Sequence, residues 1–406
     1  MSRFTRSCLA LAALVALALP ARAQVGGAAV VFLQIEPDSR SAGMGNAGVA
    51  IADNANAVFW NPAGLAFQRG AEGTMTVSQW LPSLQADLYY YYLSGKYHVD
   101  GVGTFGGHIT YLDLGTQEYR DTDNNLIGEF SAGELAVGVS YATTITERFA
   151  LGGGLRFIYS NLTGGVQVGS QDTQAGVSFG FDIAGLWKAP SFNLGSVVME
   201  PSLGFNLANM GPTIQYADND QSDPIPTNLR FGGALTANLD DFNKVNVALD
   251  FNKTLIDFDE DENGQRQPRS FMTSIFSAWK PINIDLNPTD NASQVDENGN
   301  PIFVDEDGDN RLDNYNCDLD QTCRELGILE QLTIGLGLEY WYDDLFAVRA
   351  GYFYENPYNG NREYLTFGAG IRYNIIGVDL SYIYAVEENS PLSDTIRFSL
   401  LLNVFN

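Results

Sequence analysis

Apolar and polar residues alternate along most of the chain from Gly73 onward. In the stretch 149–160 most odd-numbered positions are large and apolar, while glycine, alanine, arginine and serine fill most even-numbered ones. The same period recurs in 228–239, 245–252 and 365–372. A two-residue period is that of a β-strand whose two faces meet different surroundings. Fourteen such segments are predicted, starting near Gly73, Asp87, Val102, Ala132, Phe149, Gly176, Gly195, Thr227, Lys244, Leu332, Leu345, Glu363, Val378 and Thr395.

The links between the predicted strands fall into two groups by length. Links after even-numbered strands are short, such as 100–101, 240–243 and 374–377, whereas those after odd-numbered strands are mostly long, such as 114–131 and 256–330. This asymmetry is typical of transmembrane β-barrels of the bacterial outer membrane, with the short turns in the periplasm. We therefore predict an all-β protein, a 14-stranded antiparallel transmembrane β-barrel with long extracellular loops. An even strand number puts both chain ends on the periplasmic side.

A soluble β-sandwich also shows alternation, but glycine and scattered charges on the second face suit a barrel lumen better. Glycine accounts for 42 of 406 residues, and charged residues for 17 %, below the usual ~25 %. The net charge of −27 excludes nucleic-acid binding through a basic surface. After the first twenty residues, no apolar run approaches the ~20 residues of a membrane helix.

The N-terminus has the features of a signal peptide, predicted over 1–23. Arg3 and Arg6 precede an apolar run at 8–19, and the small residues Ala21 and Ala23 mark a cleavage site. The exported chain is then predicted to divide into a segment at 24–72 and a barrel at 73–406.

The segment 24–72 is predicted to form a plug threaded through the barrel. Its small residues permit close approach of backbones, and the lumen wall must satisfy its polar groups. The motif residues that we assign to this plug are Pro37, Asp38, Arg40, Gly43, Gly45, Trp60, Asn61 and Pro62.

Eight charged residues fall on the inward face of the alternating strands, namely Arg156, Arg230, Asp250, Glu339, Arg349, Arg372, Asp379 and Arg397. Two interpretations are open. The charges pair with each other or with the plug, as confined charges must, or the arginines form a ring that grips an acidic ligand. Arg372 and Asp379 flank the turn at 374–377 and are expected to lie opposite one another.

The long loop 256–330 carries 18 acidic and 5 basic residues. Its apolar stretch 270–279 is too short to span a membrane. This stretch could cover the barrel mouth, fold into the lumen or dock on a partner.

Asp305, Asp307, Asp309 and Asp313 occupy positions 1, 3, 5 and 9 of a calcium-type loop, in which alternate oxygen ligands wrap one cation. Position 12 is Asn316 rather than glutamate. A Ca²⁺ site and a solvated acidic loop are the two interpretations, and no other cofactor is expected.

Cys317 and Cys323 are candidates for a small-loop disulfide in an oxidising compartment, with two free thiols as the alternative. The chain contains two histidines, His98 and His108, and no Ser-His-Asp grouping. An enzyme, including one that acts on lipopolysaccharide, is therefore disfavoured.

Several segments carry a resemblance to known families. The segment 32–45 (Phe-Leu-Gln-Ile-Glu-Pro-Asp-Ser-Arg-Ser-Ala-Gly-Met-Gly), together with 337–355, 360–362 and 389–400, resembles the PorV family of type IX secretion. The Trp-Asn-Pro-Ala-Gly turn at 60–64 is similar to one shared more widely with FadL-like fatty-acid channels. The part of the long loop from 257 to 323 has no match in this resemblance.

The resemblance implies a FadL-like barrel in the outer membrane that carries out no chemistry. It implies binding of the C-terminal signal domain of cargo leaving the type IX translocon. The cargo then passes to a cell-surface attachment complex with a sortase-like peptidase. Contacts with outer-membrane lipid and lipopolysaccharide follow from such a location. A FadL-like channel for hydrophobic solutes is the alternative function.

Overall fold

The computed structural model describes residues 27–84, 87–120, 126–165, 173–217, 222–260, 266–285, 323–387 and 390–405. The predicted signal peptide lies outside the described residues. Within these ranges, no helix is long and apolar enough to cross a bilayer.

Fourteen long antiparallel strands form one closed ring. They are β1 (Ala71–Gln79), β2 (Tyr89–Val99), β3 (Gly103–Arg120), β4 (Leu126–Thr144), β5 (Phe149–Asn161), β6 (Gly176–Lys188), β7 (Val197–Met210), β8 (Asn228–Asn238), β9 (Asn243–Thr254), β10 (Thr333–Tyr342), β11 (Phe346–Tyr354), β12 (Glu363–Tyr373), β13 (Ile376–Ala385) and β14 (Ile396–Phe405). Pairing of β1 with β14 and of β6 with β7 completes the ring. The predicted 14-stranded antiparallel barrel is confirmed. A closed ring lets every strand pair on both sides, as a hydrocarbon environment demands.

The two faces of the ring differ as the alternation predicts. Outward side chains such as Val139 and Leu155 are 63 % and 66 % exposed, although they are apolar. Lipid covers such residues in a membrane. Between them, small or polar side chains such as Ser140 and Arg156 are buried in the lumen.

Three of the predicted links contain more structure than expected. The predicted loop 114–131 is largely strand, because β3 and β4 continue as a hairpin to Arg120 and from Leu126. The link between β6 and β7 contains the short strand Phe192–Leu194, which pairs with the start of β7.

The third link with more structure than expected is the long loop between β9 and β10. Its short strands form two antiparallel pairs, Phe258–Glu260 with Arg266–Pro268 and Ile282–Asp285 with Cys323–Leu326. Helix α3 (Phe271–Ser277) lies between the two pairs in the sequence. A 3₁₀ helix, Ile328–Gln331, leads into β10.

The plug consists of four short helical pieces joined by irregular backbone. Two are α-helices, α1 (Ser39–Ala42) and α2 (Ala57–Trp60). The other two are 3₁₀ helices, Val31–Gln34 and Pro62–Phe67. Local caps define two of these pieces, since Asp38 accepts from the Ser41 amide and Asn61 accepts from the Ala63 amide.

The plug runs the full height of the lumen. At its first described residues, the Ala29 amide donates to the Pro224 carbonyl, in the link between β7 and β8 on the extracellular side. At its other end, the Ala55 amide donates to Glu72 at the periplasmic start of β1. The expectation that both chain ends lie on the periplasmic side is therefore wrong for the N-terminal segment. The strand count places only the ends of the barrel itself, and a plug that threads the lumen has its first described residues at the opposite rim.

Glycine allows the plug backbone to touch the wall. Gly45 has a φ of +62° and lies so close that a Cβ there would approach the Leu336 and Tyr352 carbonyl oxygens to 2.6 Å and 2.5 Å. On the wall, a Cβ at Gly351 would come within 2.0 Å of the Gly45 nitrogen. The contact therefore excludes any side chain on either partner.

Replacing Gly351 with alanine should displace the plug, because a methyl group has no space there. Overpacking of this kind costs about 1–3 kcal/mol. We expect Gly351→Ala to lower the unfolding temperature of the detergent-solubilised barrel by several degrees. Gly73→Ala is the matched control, since its Cβ would meet no atom nearer than 3.8 Å. Equal unfolding temperatures for the two variants would contradict the proposed contact.

Candidate functional site

The upper part of the plug lies in an apolar cluster just below the extracellular mouth. Val30, Phe32 and Leu33 are buried there against wall and link residues that include Leu112 and Ile225. Burial of this apolar surface holds the segment without any ion pair.

Asp38 organises the middle of the plug. Besides capping α1, its carboxylate accepts from the Trp60 indole Nε1 at 2.6 Å, which ties α1 to α2. The Ser39 amide and hydroxyl both contact the Ser399 hydroxyl of β14, at 3.0 Å and 2.9 Å. The motif residues Asp38 and Trp60 thus fix the internal fold of the plug, and Ser39 anchors it to the wall.

Arg40 connects the plug to the wall through charge. Its guanidinium donates to both carboxylate oxygens of Glu339 at 2.8 Å and also binds Asp53 within the plug. The Glu339 side chain is fully buried. A bidentate Arg–carboxylate pair of this type is directional as well as strong.

The pairing continues along the wall. Arg349 donates to Glu339 at 2.7 Å and to Asp379 at 2.8 Å, and Arg372 donates to Asp379 at 2.6 Å. Arg372 and Asp379 meet diagonally, because Asp379 lies opposite Gly370 and Arg372 opposite Gly377. We call the resulting series of alternating charges the lumen charge network; its members are Asp53, Arg40, Glu339, Arg349, Asp379 and Arg372.

The other predicted lumen charges lie away from this network. Arg156 pairs with Asp182 and donates to Asn209 at 2.6 Å, all on the wall. Arg397 approaches Glu36 of the plug at 3.4 Å.

Arg230 and Asp250 hold plug backbone instead of opposite charges. Arg230 donates to the Phe59 carbonyl at 3.0 Å, and its guanidinium stacks over the Phe59 ring at 4.2 Å. Asp250 accepts from the Gly48 and Val49 amides at 2.6 Å and 2.8 Å. Every one of the five predicted lumen arginines therefore has a partner within the protein.

The remaining motif residues complete the contact between plug and wall. Gly43 lies against Gly368 of β12. Asn61 donates to the carbonyls of Val49 and Gly185, at 2.9 Å and 3.1 Å. Pro62 lies against Gly152 and starts the last 3₁₀ helix. Pro37 directly precedes Asp38, the cap of α1.

Sequence reasoning missed Glu36, Asp53 and Asp182, which pair with predicted arginines. A charge count could have found the first two. The eight predicted inward residues comprise five arginines and three acids, whereas residues 27–67 contain three acids and Arg40 alone as a base. The predicted inward residues of the wall have two more positive than negative charges, and the plug has two more negative than positive charges. Because charges in a confined lumen must be balanced, the acids of the plug are the expected partners of the wall arginines.

A cavity of about 410 Å³ opens at the extracellular mouth. It lies between the described residues of the link from β7 to β8 (211–217 and 222–227) and those of the following loop (255–260 and 266–274). Its lining includes Pro212, Ile225, Thr227, Leu255, Pro268 and Phe271. This size and mixed apolar character are those of a small-ligand pocket. A second, polar cavity of about 40 Å³ inside the lumen is lined by Glu36, Asn46 and Asp250, among others, and has room for water.

Helix α3 forms one side of the mouth. Ser270 caps it, Phe271 packs edge-on against Phe181 of β6 at 5.6 Å, and Ser274 lines the cavity. The apolar stretch 270–279 thus contacts the outward-facing Phe181 and lines one side of the cavity. Met272 and Phe276 remain 56 % and 78 % exposed.

Ion pairs hold this segment in place. Lys280 and Arg269 approach Asp257 at 2.9 Å and 3.4 Å. Burial alone raises the pKa of Asp257, but the hydrogen bond and the charge of Lys280 work in the opposite direction, and the pKa lies below its usual value. Asp257 consequently stays ionised at neutral pH.

The predicted calcium ligands Asp305, Asp307, Asp309 and Asp313 and the predicted disulfide partner Cys317 lie outside the described residues. Cys323 begins the short strand that pairs with Ile282–Asp285. In the part of the chain that the structure describes, no group of three histidine, cysteine, aspartate or glutamate side chains could hold a metal ion.

A closed barrel with lipid-suited outer walls and an internal plug defines an integral outer-membrane β-barrel protein. Residues 20–261 match the family model described as type IX secretion system protein PorV. This match spans more than half of the chain, and the chain belongs to the PorV family. It is an outer-membrane component of the type IX secretion system.

Solved structures with similar architecture include three proteins of low sequence identity. The Ralstonia pickettii toluene transporter TbuX is 13 % identical, with 91 % of this chain and 99 % of that chain covered and a TM-score of 0.48. The P. putida toluene transporter TodX is 12 % identical, with 91 % and 99 % covered and a TM-score of 0.47. A Pseudomonas aeruginosa FadL homologue is 12 % identical, with 93 % and 100 % covered and a TM-score of 0.44. A search of the curated proteins found no match.

Disruption of the lumen charge network should destabilise the barrel far more than loss of a surface pair. Arg349→Gln leaves Glu339 and Asp379 without the cation that they share. Removing one partner of a buried ion pair lowers the free energy of unfolding by about 3–5 kcal/mol. Lys244→Gln removes an exposed partner of Asp344 and costs at most ~1 kcal/mol. The measurement is the temperature at which the folded barrel unfolds on a semi-native gel.

Arg372→Gln, at the half-buried end of the network, should have an intermediate effect. If Arg349→Gln and Arg372→Gln both keep the normal unfolding temperature but lose cargo release, the arginines grip a ligand and the structural interpretation fails.

Proposed function

We propose that this protein binds the C-terminal signal domain of secreted cargo at its extracellular side and passes the cargo to the cell-surface attachment complex. Its partners in this role are the type IX translocon, the cargo and the sortase-like peptidase of that complex. The proposal involves binding and no chemical step.

The observation that carries the proposal is the anchoring of the plug over the full height of the lumen. The plug is bound near the mouth through Ala29, at mid-height through Arg40 and at the periplasmic end through Ala55. A folded protein domain has no path through a lumen so filled. If the protein takes part in secretion by binding cargo, the binding surface is therefore expected on the outside of the barrel, where partners have access.

The alternative function, a channel for hydrophobic solutes, is favoured by one specific observation. The mouth cavity of about 410 Å³ has a partly apolar lining and lies directly above the plug. For a solute to pass, the plug would have to release its contacts with the wall.

Affinity-purified protein from its native cells should carry secreted proteins that share a C-terminal domain. Deletion of that domain from one cargo should abolish its recovery, since the domain supplies the contact. The measurement is mass spectrometry of the eluate, with an unrelated outer-membrane barrel as the control for bystander proteins. Recovery that does not depend on the domain would overturn the proposal.

The two candidate functions also predict different ion conductance for the purified protein. We expect the purified protein in a planar lipid bilayer to conduct ions poorly, because the plug fills the lumen. A double variant, Arg40→Gln with Glu339→Gln, should open frequently, because it loses this ion pair between plug and wall. Arg349 keeps Asp379 as a partner, and Asp53, which loses Arg40, is more than half exposed to solvent. Large, stable conductance of the unaltered protein would favour the channel.

A further inference from the structure

The hairpin formed by β3 and β4 rises above the rest of the barrel. The ladder of β3 with β2 ends at the pair Asp113–Tyr89, and that of β4 with β5 ends at Gly133–Asn161. Beyond these pairs, residues 114–120 and 126–132 pair only with each other among the described residues. At roughly 3.3 Å per residue, this arm extends about 20 Å past its neighbours.

A bulge separates the arm from the barrel wall. The register shifts between Asp113 and Thr116, and Gly115 between them has a φ of +71°. Bulges bend a strand and increase its twist. Among the described residues, no strand pairs with the outer edge of β3 beyond Asp113.

The two edges of the arm are not equivalent. On the β4 edge, Phe130 packs against Gly164, and Asn161 donates to the Ser131 carbonyl at 3.4 Å. On the β3 edge, Thr116, Gln117 and Glu118 are exposed. An unpaired strand edge presents backbone donors and acceptors to which another extended segment can bind.

A two-stranded hairpin is marginally stable in water, and a third strand stabilises it. Within the arm, the Tyr119 ring covers Gly128 on the opposite strand. This cross-strand contact preserves the hairpin while its β3 edge stays open. A partner strand would therefore bind to a surface that is already formed.

Charge on the arm indicates what kind of segment fits. Glu118 lies directly opposite Glu129. Like charges at directly opposed positions are destabilising. Arg120 donates to Glu118 at 2.7 Å. A basic side chain on an added strand would relieve this repulsion. The acidic extracellular loop 256–330 also favours the approach of a basic partner.

We propose that the outer edge of β3 at residues 116–119 binds an extended, basic segment of cargo by β-strand addition. This inference rests on the proposed cargo-binding function and specifies how the cargo is held. The main chain of the added strand supplies affinity, and its basic side chains, placed beside Glu118 and Glu129, supply specificity.

Site-specific photo-crosslinking tests the position directly. A photoreactive residue in place of Gln117 should crosslink to co-purified cargo, whereas one in place of Asp240, on a periplasmic turn, should not. If cargo co-purifies but no crosslink forms from positions 116 to 119, the inference fails while the proposed function stands. If no cargo co-purifies with the unaltered protein, both fail.

Charge reversal tests the chemistry. The probe is the purified C-terminal domain of a cargo that co-purifies with the unaltered protein. We expect Glu118→Lys with Glu129→Lys to weaken its binding at least tenfold, with the loss greatest at low salt. The control, Asp100→Lys with Glu147→Lys, makes the same change in net charge at periplasmic turns and should bind normally. Equal binding of the two double variants would overturn the basic-segment assignment.

Discussion

The architecture depends on the neutralisation of charge inside a space that water enters poorly. Five arginines project into the lumen, and an unpaired charge in such surroundings costs several kcal/mol. Arg40 and Glu339 solve this problem jointly, because one comes from the plug and the other from the wall. Arg230, Asp250 and Arg397 of the wall also find their partners in the plug, so the plug and the wall stabilise each other. The glycine contacts around Gly45 then follow, since bidentate pairing at 2.8 Å draws the two backbones together.

The ion-paired plug also limits which surfaces of the protein are available to partners. A lumen filled by an ion-paired plug is poorly suited to moving a polypeptide, which leaves the outer surface for partners. That surface is uneven. The extracellular side combines the mouth cavity, the exposed apolar face of α3 and the tall β3–β4 arm. The periplasmic rim has mostly short turns, such as the one between β12 and β13. The proposed binding of cargo therefore uses the extracellular side.

Much of the fold could be predicted from the sequence, because lipid on one side and a filled lumen on the other enforce a two-residue period. The prediction fails where that contrast disappears. Thr116 and Gln117 belong to β3 but are exposed to solvent, so no alternation marks them as strand. The path of the plug was likewise hidden, since small residues are compatible with either direction through a barrel.

The inward charges could be placed on the wall from alternation, but their partners could not. Which charges form ion pairs depends on the shear of the barrel and on the position of the plug. The two-residue alternation of the sequence specifies neither. Arg372 and Asp379 illustrate the point, because they meet diagonally across the ladder and not as directly opposed residues. The charge balance between plug and wall is the sequence feature that would have reduced the number of possible partners for the inward charges.

The most direct test of the account is a cryo-electron microscopy structure of the protein bound to a cargo C-terminal domain. The account predicts cargo density at the extracellular side, with the plug in place and Arg40 still paired with Glu339. Cargo density inside the barrel, with the plug displaced, would contradict it.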